Sequence, residues 1–213
     1  MNLKFFIELI PKISLIKTSY YSLKFKGLIF VGKGTRINIH KAGRIVFENN
    51  KSSLYLGVHF SVANGATLDI YESGTLVVAK SVSIHRGTKV VVRENAELRI
   101  GATSFINENS RILCRKKITI GHNSSIGWNT TLTDTDSHSI YINGAITNPD
   151  VEVKIGNKVW VCANTTITKG TIIEDNCIVG INSLVIGKLL KSNTIYAGNP
   201  LKIVKNFEEW GGL

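Results

Sequence analysis

The sequence from Ile155 to Lys188, IGNKVWVCANTTITKGTIIEDNCIVGINSLVIGK, places an aliphatic side chain at every sixth residue. A second series of small or medium-sized side chains follows four residues after each of these positions. The first series is Ile155, Val161, Ile167, Ile173, Val179 and Val185, and the second is Val159, Thr165, Thr171, Cys177, Ser183 and Leu189. A period of six fits neither the helical spacing nor the alternation of an ordinary strand. It therefore indicates an internal repeat.

The same period occurs upstream, and turn-forming residues punctuate it throughout. Six residues form one short strand and one turn, and three such units close a triangular coil. Successive coils then stack at about 4.8 Å through parallel hydrogen bonds. The sequence therefore predicts an all-β solenoid with a core of Ile, Val and Leu, because a β-sandwich would instead show alternation and regularly spaced hairpin turns. The upstream positions are Leu56, Val62, Leu68, Leu76, Val82, Ile100, Ile106, Ile112, Ile118, Ile120, Ile126 and Leu132.

Composition favours one elongated domain in a reducing compartment. The chain has 213 residues, of which 43% are hydrophobic and only three are proline. Cys114, Cys162 and Cys177 lie within the apolar pattern and are too few for a disulfide framework, so we expect reduced thiols in a cytoplasmic protein. The opening sequence MNLKFFIELIPKISLI contains charges and a proline and ends in no cleavage site. It resembles neither a secretory signal nor a membrane span.

Basic charge is concentrated near the N terminus. Residues 1–50 contain nine Lys or Arg and two acidic residues, so they carry +7 of the total formal charge of +11. One interpretation is a peripheral contact with an acidic glycan or with the inner face of the cytoplasmic membrane. The alternative is a solvated cap that covers the open end of the first coil. We expect no nucleic-acid partner, because no RNA- or DNA-binding motif accompanies the charge.

The repeat is interrupted once in the C-terminal half, at the sequence TDTDSHSIY of Thr133–Tyr141. From Leu132 to Ile155 the chain advances 23 residues where the repeat allows six, so about 17 residues leave the coil. Loops on a rigid scaffold often carry chemistry. A histidine in such a loop can act as a base at neutral pH, and a neighbouring carboxylate can orient its ring. The candidates are His138, Asp134 and Asp136.

These features together resemble the hexapeptide-repeat acyltransferases, in particular the branch that O-acetylates sugars and bacterial surface polysaccharides. The resemblance covers residues 98–207 and rests on the repeat, the DTDSHS interruption, residues 155–188 and the closing sequence IYAGNPLKIVKNF. It implies a left-handed parallel β-helix, a homotrimer, acetyl-CoA as donor, a carbohydrate acceptor and active sites between neighbouring subunits. The handedness comes from the resemblance alone, because parallel crossovers are generally right-handed.

The resemblance also implies roles for individual residues. His138 would be the base, Trp160 would line the site beside the acetyl and pantetheine groups, and Asn107 would position the acceptor from across the interface. The pantetheine arm would be bordered by Ala163, Gly180 and Ile181, and the phosphates of CoA would lie near Lys202 and Lys205. Two alternatives stay open: Trp160 could fill the trimer interface, and the two lysines could belong to a solvated C-terminal helix.

The same residues bear on three other functions known for this fold. A zinc carbonic anhydrase needs three converging imidazoles; His85 and His122 supply two, but no histidine follows His122 at the expected distance, so we expect no metal. The remaining histidines, His40 and His59, lie in predicted turns. An N-acyltransferase acting on a nucleotide-linked amino sugar usually adds an N-terminal domain, for which residues 1–28 are too short. A non-catalytic trimeric scaffold would be expected to lose the loop that carries Asp134, Asp136 and His138, and this chain keeps it.

The predicted organisation is therefore an N-terminal basic cap (residues 1–28) and a β-helix acetyltransferase domain (residues 29–200) with an inserted catalytic loop (residues 133–152). A short C-terminal helical tail (residues 201–213) completes it. The predicted activity is an acetyl-CoA-dependent O-acetyltransferase that modifies a bacterial surface glycan or its precursor.

Overall fold

A computed structural model describes residues 9–58 and 65–211 of the chain. After a 3-10 turn at Ile10–Lys12, helix α1 spans Leu15–Phe25, and the rest of the fold is built from strands. Three sheets form the faces of a parallel β-helix, and each strand pairs with the equivalent strand of the next coil. His59 and Val62, two residues considered above, lie outside the described part of the chain.

The strands are assigned to the sheets as follows. The first sheet contains β1 (Leu28–Val31), β4 (Ser53–Leu56), β7 (Val82–Ile84), β10 (Phe105–Ile106), β13 (Ser125–Ile126), β18 (Trp160–Val161), β21 (Ile178–Val179), β24 (Thr194–Ala197) and β25 (Lys202–Asn206). The second contains β2 (Arg36–Ile39), β5 (Thr67–Ile70), β8 (Lys89–Val92), β11 (Arg111–Cys114), β14 (Thr131–Thr133), β19 (Thr166–Ile167) and β22 (Leu184–Val185). The third contains β3 (Arg44–Phe47), β6 (Thr75–Val78), β9 (Glu97–Ile100), β12 (Lys117–Ile120), β17 (Val153–Ile155), β20 (Ile172–Ile173) and β23 (Leu189–Leu190). A separate hairpin joins β15 (Tyr141–Ile142) to β16 (Ala145–Ile146).

The six-residue period corresponds to the buried column at the centre of the coils. All six aliphatic residues from Ile155 to Val185 are buried, with at most 2% of their surface exposed. The solenoid prediction is confirmed, and burial of each such side chain contributes about 1.5–3 kcal/mol. The second series differs at its last member, because Leu189 is 52% exposed and the next residue, Leu190, is buried instead. Leu190 pairs with Ile173, so the turn after Val185 is one residue shorter than the repeat requires.

The turns that join the first sheet to the second stack into a regular edge, called here corner 1 (residues 107–110, 127–130, 162–165 and 180–183). Their third residue is always an asparagine with a positive φ of 55° to 57°, which asparagine tolerates better than most residues. The fourth residue is a buried Ser or Thr; the hydroxyl groups of Ser110, Thr130 and Thr165 donate to carbonyl oxygens of the next coil. Corner 1 is therefore a rigid element on which side chains can be positioned.

Helix α1 closes the first coil. Tyr21 and Phe25 pack against the hydrophobic core, the Tyr21 hydroxyl donates to the Ile37 carbonyl (3.2 Å), and the Thr18 hydroxyl accepts from the Val31 N–H (3.0 Å). The inner face of the helix thus serves as the cap that a solenoid end requires. In residues 9–58 and 65–211, no helix is both long and apolar enough to traverse a bilayer.

The prediction of a C-terminal helix is wrong. Lys202–Asn206 forms strand β25, which runs antiparallel to β24 and pairs Ile195 with Lys205 and Ala197 with Lys202. The sheet would otherwise end at β24 with unpaired backbone groups, and β25 satisfies them by turning back along this edge. The β-branched residues Ile203 and Val204 favour a strand at this position.

Candidate active site

The interruption of the repeat is a loop that leaves the second sheet and returns to the third. Strand β14 ends at Thr133 and strand β17 begins at Val153. Between them the hairpin β15–β16 lies outside the coil, with most of its residues exposed to solvent. The chain on both sides of the loop keeps its parallel pairing with the neighbouring coils. The loop is therefore an insertion into a continuous solenoid.

His138 lies in this loop, and its backbone is held by one side chain. The Asn148 Nδ2 atom donates to the His138 carbonyl (2.9 Å) and to the Asp136 Oδ2 atom (2.9 Å), and its Oδ1 atom accepts from the Ile140 N–H (2.6 Å). The imidazole of His138 is exposed, and within the described residues it has no hydrogen-bond partner. The loop thus fixes the backbone of His138 and leaves both ring nitrogens free to meet another molecule.

Asp134 does not contact that imidazole. Its carboxylate is fully buried and accepts from the backbone N–H groups of Arg115 (2.7 Å), Lys116 (2.8 Å) and Lys117 (2.7 Å). Hydrogen bonds to an ionised acceptor are about twice as strong as neutral ones. Both oxygens are occupied, so Asp134 closes the turn between β11 and β12. The structure does not place it where it could orient His138.

Asp136 is paired with a lysine from the following coil. Lys169 Nζ lies 2.6 Å from the Asp136 carboxylate and also donates to the backbone carbonyls of Asn148 (2.9 Å) and Pro149 (3.1 Å). Hydrogen bonds from Lys169 and then from Asn148 lower the pKa of Asp136 below its ordinary value. Lys169 therefore ties the beginning of the loop to its end. Sequence analysis did not identify Lys169, because this contact joins different coils.

A further basic side chain contacts the loop from the turn between β11 and β12. Arg115 donates from Nη1 to the Ser137 carbonyl (3.2 Å), and its Nε atom lies 3.4 Å from the Asp150 carboxylate. Lys116 Nζ donates to the Asp150 carbonyl (3.4 Å). These contacts tie both ends of the loop to the turn between β11 and β12.

Corner 1 brings several predicted donor-binding residues into register. The backbone N–H groups of Asn107, Gly127, Cys162 and Gly180 each donate to the next coil, so these residues form one column. The residues that follow them form a second column of Glu108, Trp128, Ala163 and Ile181. In that column the buried Ala163 lies between Trp128, which is 53% exposed, and Ile181, which is 56% exposed. The result is an apolar notch with a small residue at its centre.

Trp128 was not among the residues selected from the sequence. An exposed tryptophan in a turn one coil before Ala163 is the signal that could have identified it. Gly180 has a packing role, because a Cβ atom at this position would lie 2.8 Å from the Ala197 Cβ atom. Its backbone borders the notch, but the absence of its side chain is required by the next coil.

Asn107 occupies the same corner two coils before the notch residue Ala163. Its Oδ1 atom lies 3.1 Å from Nδ1 of His85 and accepts from the Glu108 N–H (2.9 Å), while its backbone carbonyl accepts from the Thr88 hydroxyl (2.8 Å). These contacts orient the amide so that Nδ2 is a donor with no partner in the described part of the chain. His85 is thus a positioning neighbour of Asn107. His122, the other turn histidine of the rejected metal site, accepts the Ala102 N–H at Nδ1 (2.8 Å).

Trp160 lies on the outer face of the first sheet and contacts a second tryptophan. Its side chain is 41% exposed, and the ring centroids of Trp160 and Trp210 are 5.8 Å apart. Trp210 Nε1 donates to the Lys158 carbonyl (2.8 Å), and Lys158 also forms an ion pair with Glu209. The C-terminal segment therefore folds back against β18. Sequence analysis did not include Trp210 in the site.

Strand pairing aligns Trp160 with one of the two candidate phosphate-binding lysines. The row Trp160, Ile178, Ile195 and Lys205 crosses four adjacent strands on the same face of the sheet. At about 4.8 Å per strand, Lys205 lies about 14 Å from Trp160 along the sheet. Lys202, the first residue of β25, is also exposed. Both lysines thus project from β25 and not from a helix.

The three cysteines do not provide a reactive thiolate. All are free; burial raises the pKa of Cys162 and raises that of Cys177 to about 11, and burial together with Asp134 raises the pKa of Cys114. In the described residues, no cluster of His, Cys, Asp or Glu could hold a metal ion.

A parallel β-helix with a histidine loop and an apolar notch at one corner defines a class of protein, and comparison with known proteins identifies that class. The solved structure of the polysialic acid O-acetyltransferase OatWY is 32% identical and aligns over 84% of this chain and 89% of that chain, with a TM-score of 0.65. The putative lipopolysaccharide biosynthesis O-acetyl transferase WbbJ of Escherichia coli K12 is 46% identical over 55 residues, which are 26% of this chain and 28% of that protein. A probable macrolide acetyltransferase of Lysinibacillus sphaericus is 47% identical over 51 residues, which are 24% of this chain and 28% of that protein.

The chain belongs to the hexapeptide-repeat acetyltransferases, and its fold is their left-handed parallel β-helix. No family model matches it. The matched segments of the two curated relatives span 28% of the length of each.

Proposed function

We propose that this protein is an acetyl-CoA-dependent O-acetyltransferase that modifies a hydroxyl group of a bacterial surface glycan or of its precursor. The observation that carries the proposal is the imidazole of His138, exposed on a loop whose backbone is fixed by Asn148 and Lys169. A glycan acceptor is favoured over a macrolide because OatWY, which matches most of the chain, and WbbJ are both named for transfer to polysaccharide structures.

The donor is assigned to corner 1 and the adjacent face of the first sheet. The notch formed by Trp128, Ala163 and Ile181 is apolar, which suits the pantetheine arm of CoA. Trp160 would lie against the thioester end, since an indole can pack against an apolar group. Lys202 and Lys205 would interact with the phosphates as point charges.

The reaction would be a direct transfer. The imidazole of His138 takes the proton of the acceptor hydroxyl as its oxygen attacks the thioester carbonyl carbon of acetyl-CoA. The tetrahedral intermediate then collapses, the C–S bond breaks, and the CoA thiolate takes the proton from the imidazolium. No cysteine thiolate is available as a covalent nucleophile, because burial raises the pKa of the half-buried Cys162, the thiol in corner 1.

A homotrimer would complete this site. Neither candidate aspartate contacts the His138 ring. Asn107 lies in corner 1, at the start of the second sheet's strands, while the loop leaves from the C-terminal end of β14. Residues of a neighbouring copy are therefore needed to bring Asn107 Nδ2, the notch and His138 to one acceptor. A cyclic arrangement gives three equivalent sites of this kind. We also propose a cytoplasmic location, which is supported by the free thiols and by the use of acetyl-CoA.

The test is an activity screen of the purified protein. Acetyl-CoA is supplied with a panel of surface polysaccharides, lipid-linked precursors and macrolides, and release of the CoA thiol is followed. Acetylation of a glycan hydroxyl, confirmed by mass spectrometry and abolished by alkaline de-esterification, supports the proposal. Transfer to an amine or to a macrolide in preference to any glycan contradicts the assigned acceptor. A monomer by light scattering at micromolar concentration contradicts the shared site.

A further inference from the structure

The outer face of α1 carries large apolar side chains that are exposed in the described part of the chain. Ile16, Tyr20 and Leu23 lie one turn apart along the helix and are 85%, 56% and 80% exposed. The spacing of four and then three residues places them on one face. Leu15 (59% exposed), Ile10 (49%) and Leu28 (44%) extend the same end of the molecule. A contiguous exposed apolar patch of this kind marks an interaction surface.

Capping of the solenoid does not explain this face. The inner side of α1 makes the contacts with the first coil through Thr18, Tyr21 and Phe25, and the Ser22 hydroxyl also bonds to the backbone of Ile29. A cap is expected to present a polar outer surface, which keeps the end of a solenoid soluble. Here the outer surface is apolar where the cap requires polar residues, so it has another role.

The charge around this face has one sign. From residue 9 to residue 47 the sequence contains eight Lys or Arg and no Asp or Glu. Lys24 lies with its Nζ atom 5.7 Å from the ring centroid of Tyr20, and Lys26 is exposed just after the helix. Lys17 is not free in the same way, because its Nζ atom donates to the Thr35 carbonyl (2.6 Å). The apolar face therefore has a cationic border.

We propose that this face binds the surface of an anionic lipid bilayer. The apolar side chains of α1 insert among the upper acyl segments while Lys24 and Lys26 contact lipid phosphates, as in amphipathic helices that lie in a membrane interface. The inference uses α1 and its charge only, and it does not depend on the proposed acetyl transfer.

Two other occupants fit this face less well. A second copy docked on the same face through a twofold axis would bring Lys24 and Lys26 of both copies together, and like charges oppose that contact. An acidic glycan would satisfy the lysines but would leave Ile16 and Leu23 without an apolar partner. A bilayer with anionic headgroups provides both kinds of contact.

The experiment is co-sedimentation of the full chain with phosphatidylcholine vesicles, with and without phosphatidylglycerol, at low and at high salt. Wild type is compared with Ile16→Ser/Leu23→Ser and with Lys24→Gln/Lys26→Gln. Ile186→Ser is the matched control, because Ile186 is 60% exposed near the opposite end of the solenoid. Circular dichroism checks that each variant keeps its β structure.

We expect wild type and Ile186→Ser to bind the anionic vesicles and to release them as salt rises. The apolar double variant should lose on the order of tenfold or more in partition coefficient. The lysine double variant should lose about 25-fold, which is about fivefold for each lysine. Equal vesicle binding by wild type and the apolar variant overturns the inference, as does failure of wild type to bind at low salt. Binding to an acidic polysaccharide is measured in the same way. The inference is also overturned if wild type prefers the polysaccharide to vesicles and the apolar variant binds the polysaccharide as strongly as wild type does. Light scattering tests for a second copy on this face. If wild type and the lysine variant form a larger assembly than the apolar variant does, the face is assigned to a second copy.

Discussion

Trp160 and Trp210 lie with their ring centroids 5.8 Å apart and their planes inclined by 39°, although one is in the coil and the other is near the chain end. The hydrogen bond from Trp210 Nε1 to the Lys158 carbonyl fixes the second ring. The C-terminal segment thus supports the indole that the proposed mechanism places beside the thioester. A donor site on this face would depend on a residue outside the hexapeptide repeat.

Replacing Trp210 tests that dependence. We expect Trp210→Ala to raise the acetyl-CoA dissociation constant about two- to tenfold, because an aromatic pair contributes about 0.5–1.5 kcal/mol. Trp160→Ala should raise it further, since the contacting ring itself is lost. The measurement is calorimetric titration with acetyl-CoA in the absence of an acceptor, and Trp210→Phe, which keeps a ring, is the control. Unchanged affinity in Trp210→Ala would separate the C-terminal segment from the donor site.

The role of His138 is tested by kinetics combined with donor binding. His138→Ala should lose on the order of 10²–10⁴-fold in kcat, the usual contribution of a general base, and should bind CoA as wild type does. Stability should change by less than about 0.5 kcal/mol, because His138 is exposed. Steady-state assays and thermal unfolding provide the two measurements. Retention of more than about a tenth of wild-type turnover would show that the loop is not the catalytic element.

Lys169 is expected to matter for turnover without contacting either substrate. It holds Asp136, Asn148 and Pro149, so Lys169→Met should release the loop and lower kcat by about ten- to a hundredfold, the scale expected from misplacing a catalytic group. Hydrogen exchange at residues 136–150 should accelerate in the same variant. Lys154→Met is the matched control, because Lys154 pairs with Glu152 on the surface at the end of the loop. Equal effects of the two replacements would contradict the role given to Lys169.

Asp134 should contribute to stability and not to orientation of the base. In Asp134→Asn the three backbone N–H groups lose a charged acceptor, and we expect a loss of about 1.5–3 kcal/mol in the free energy of unfolding. Asp69→Asn, at a half-buried carboxylate that accepts from the Asn38 side chain, should stay within about 0.5 kcal/mol. Denaturant titration gives both values. A fully stable Asp134→Asn with the kinetic defect of His138→Ala would instead make Asp134 the partner of the histidine.

The loop should have an acid-sensitive closure. The folded-state pKa of Asp136 is lowered below its ordinary value by Lys169 and Asn148. The ion pair therefore stabilises the closed loop fully above about pH 4, the unfolded value, and this contribution is lost as the pH falls through the folded pKa. NMR titration of the Asn148 side-chain amide should show one transition below about pH 4 in wild type and none in Asp136→Asn. A transition near neutral pH would contradict the assignment.

The sequence by itself determined the solenoid, because a buried position at every sixth residue leaves no freedom in how the coils stack. Ile155 to Val185 could be read directly as the core, and the gap between Leu132 and Ile155 showed that the chain leaves the coil there. The same interruption made His138 a candidate base, because loops on a rigid scaffold often carry chemistry. The C-terminal helix was a wrong prediction, because the open edge of β24 is a property of the assembled sheet.

Tertiary structure alone decided what surrounds His138. The sequence does not distinguish Asp134 from Asp136 as the partner of His138. Folding buries Asp134 against three backbone N–H groups of another coil and pairs Asp136 with Lys169. The contact of Trp210 with Trp160 and the notch between Trp128 and Ile181 also exist only because folding brings together residues that are distant in the sequence. The repeat fixes each residue's position within its coil. Contacts of a loop or a chain end depend on the path taken outside the coil, which no periodicity encodes.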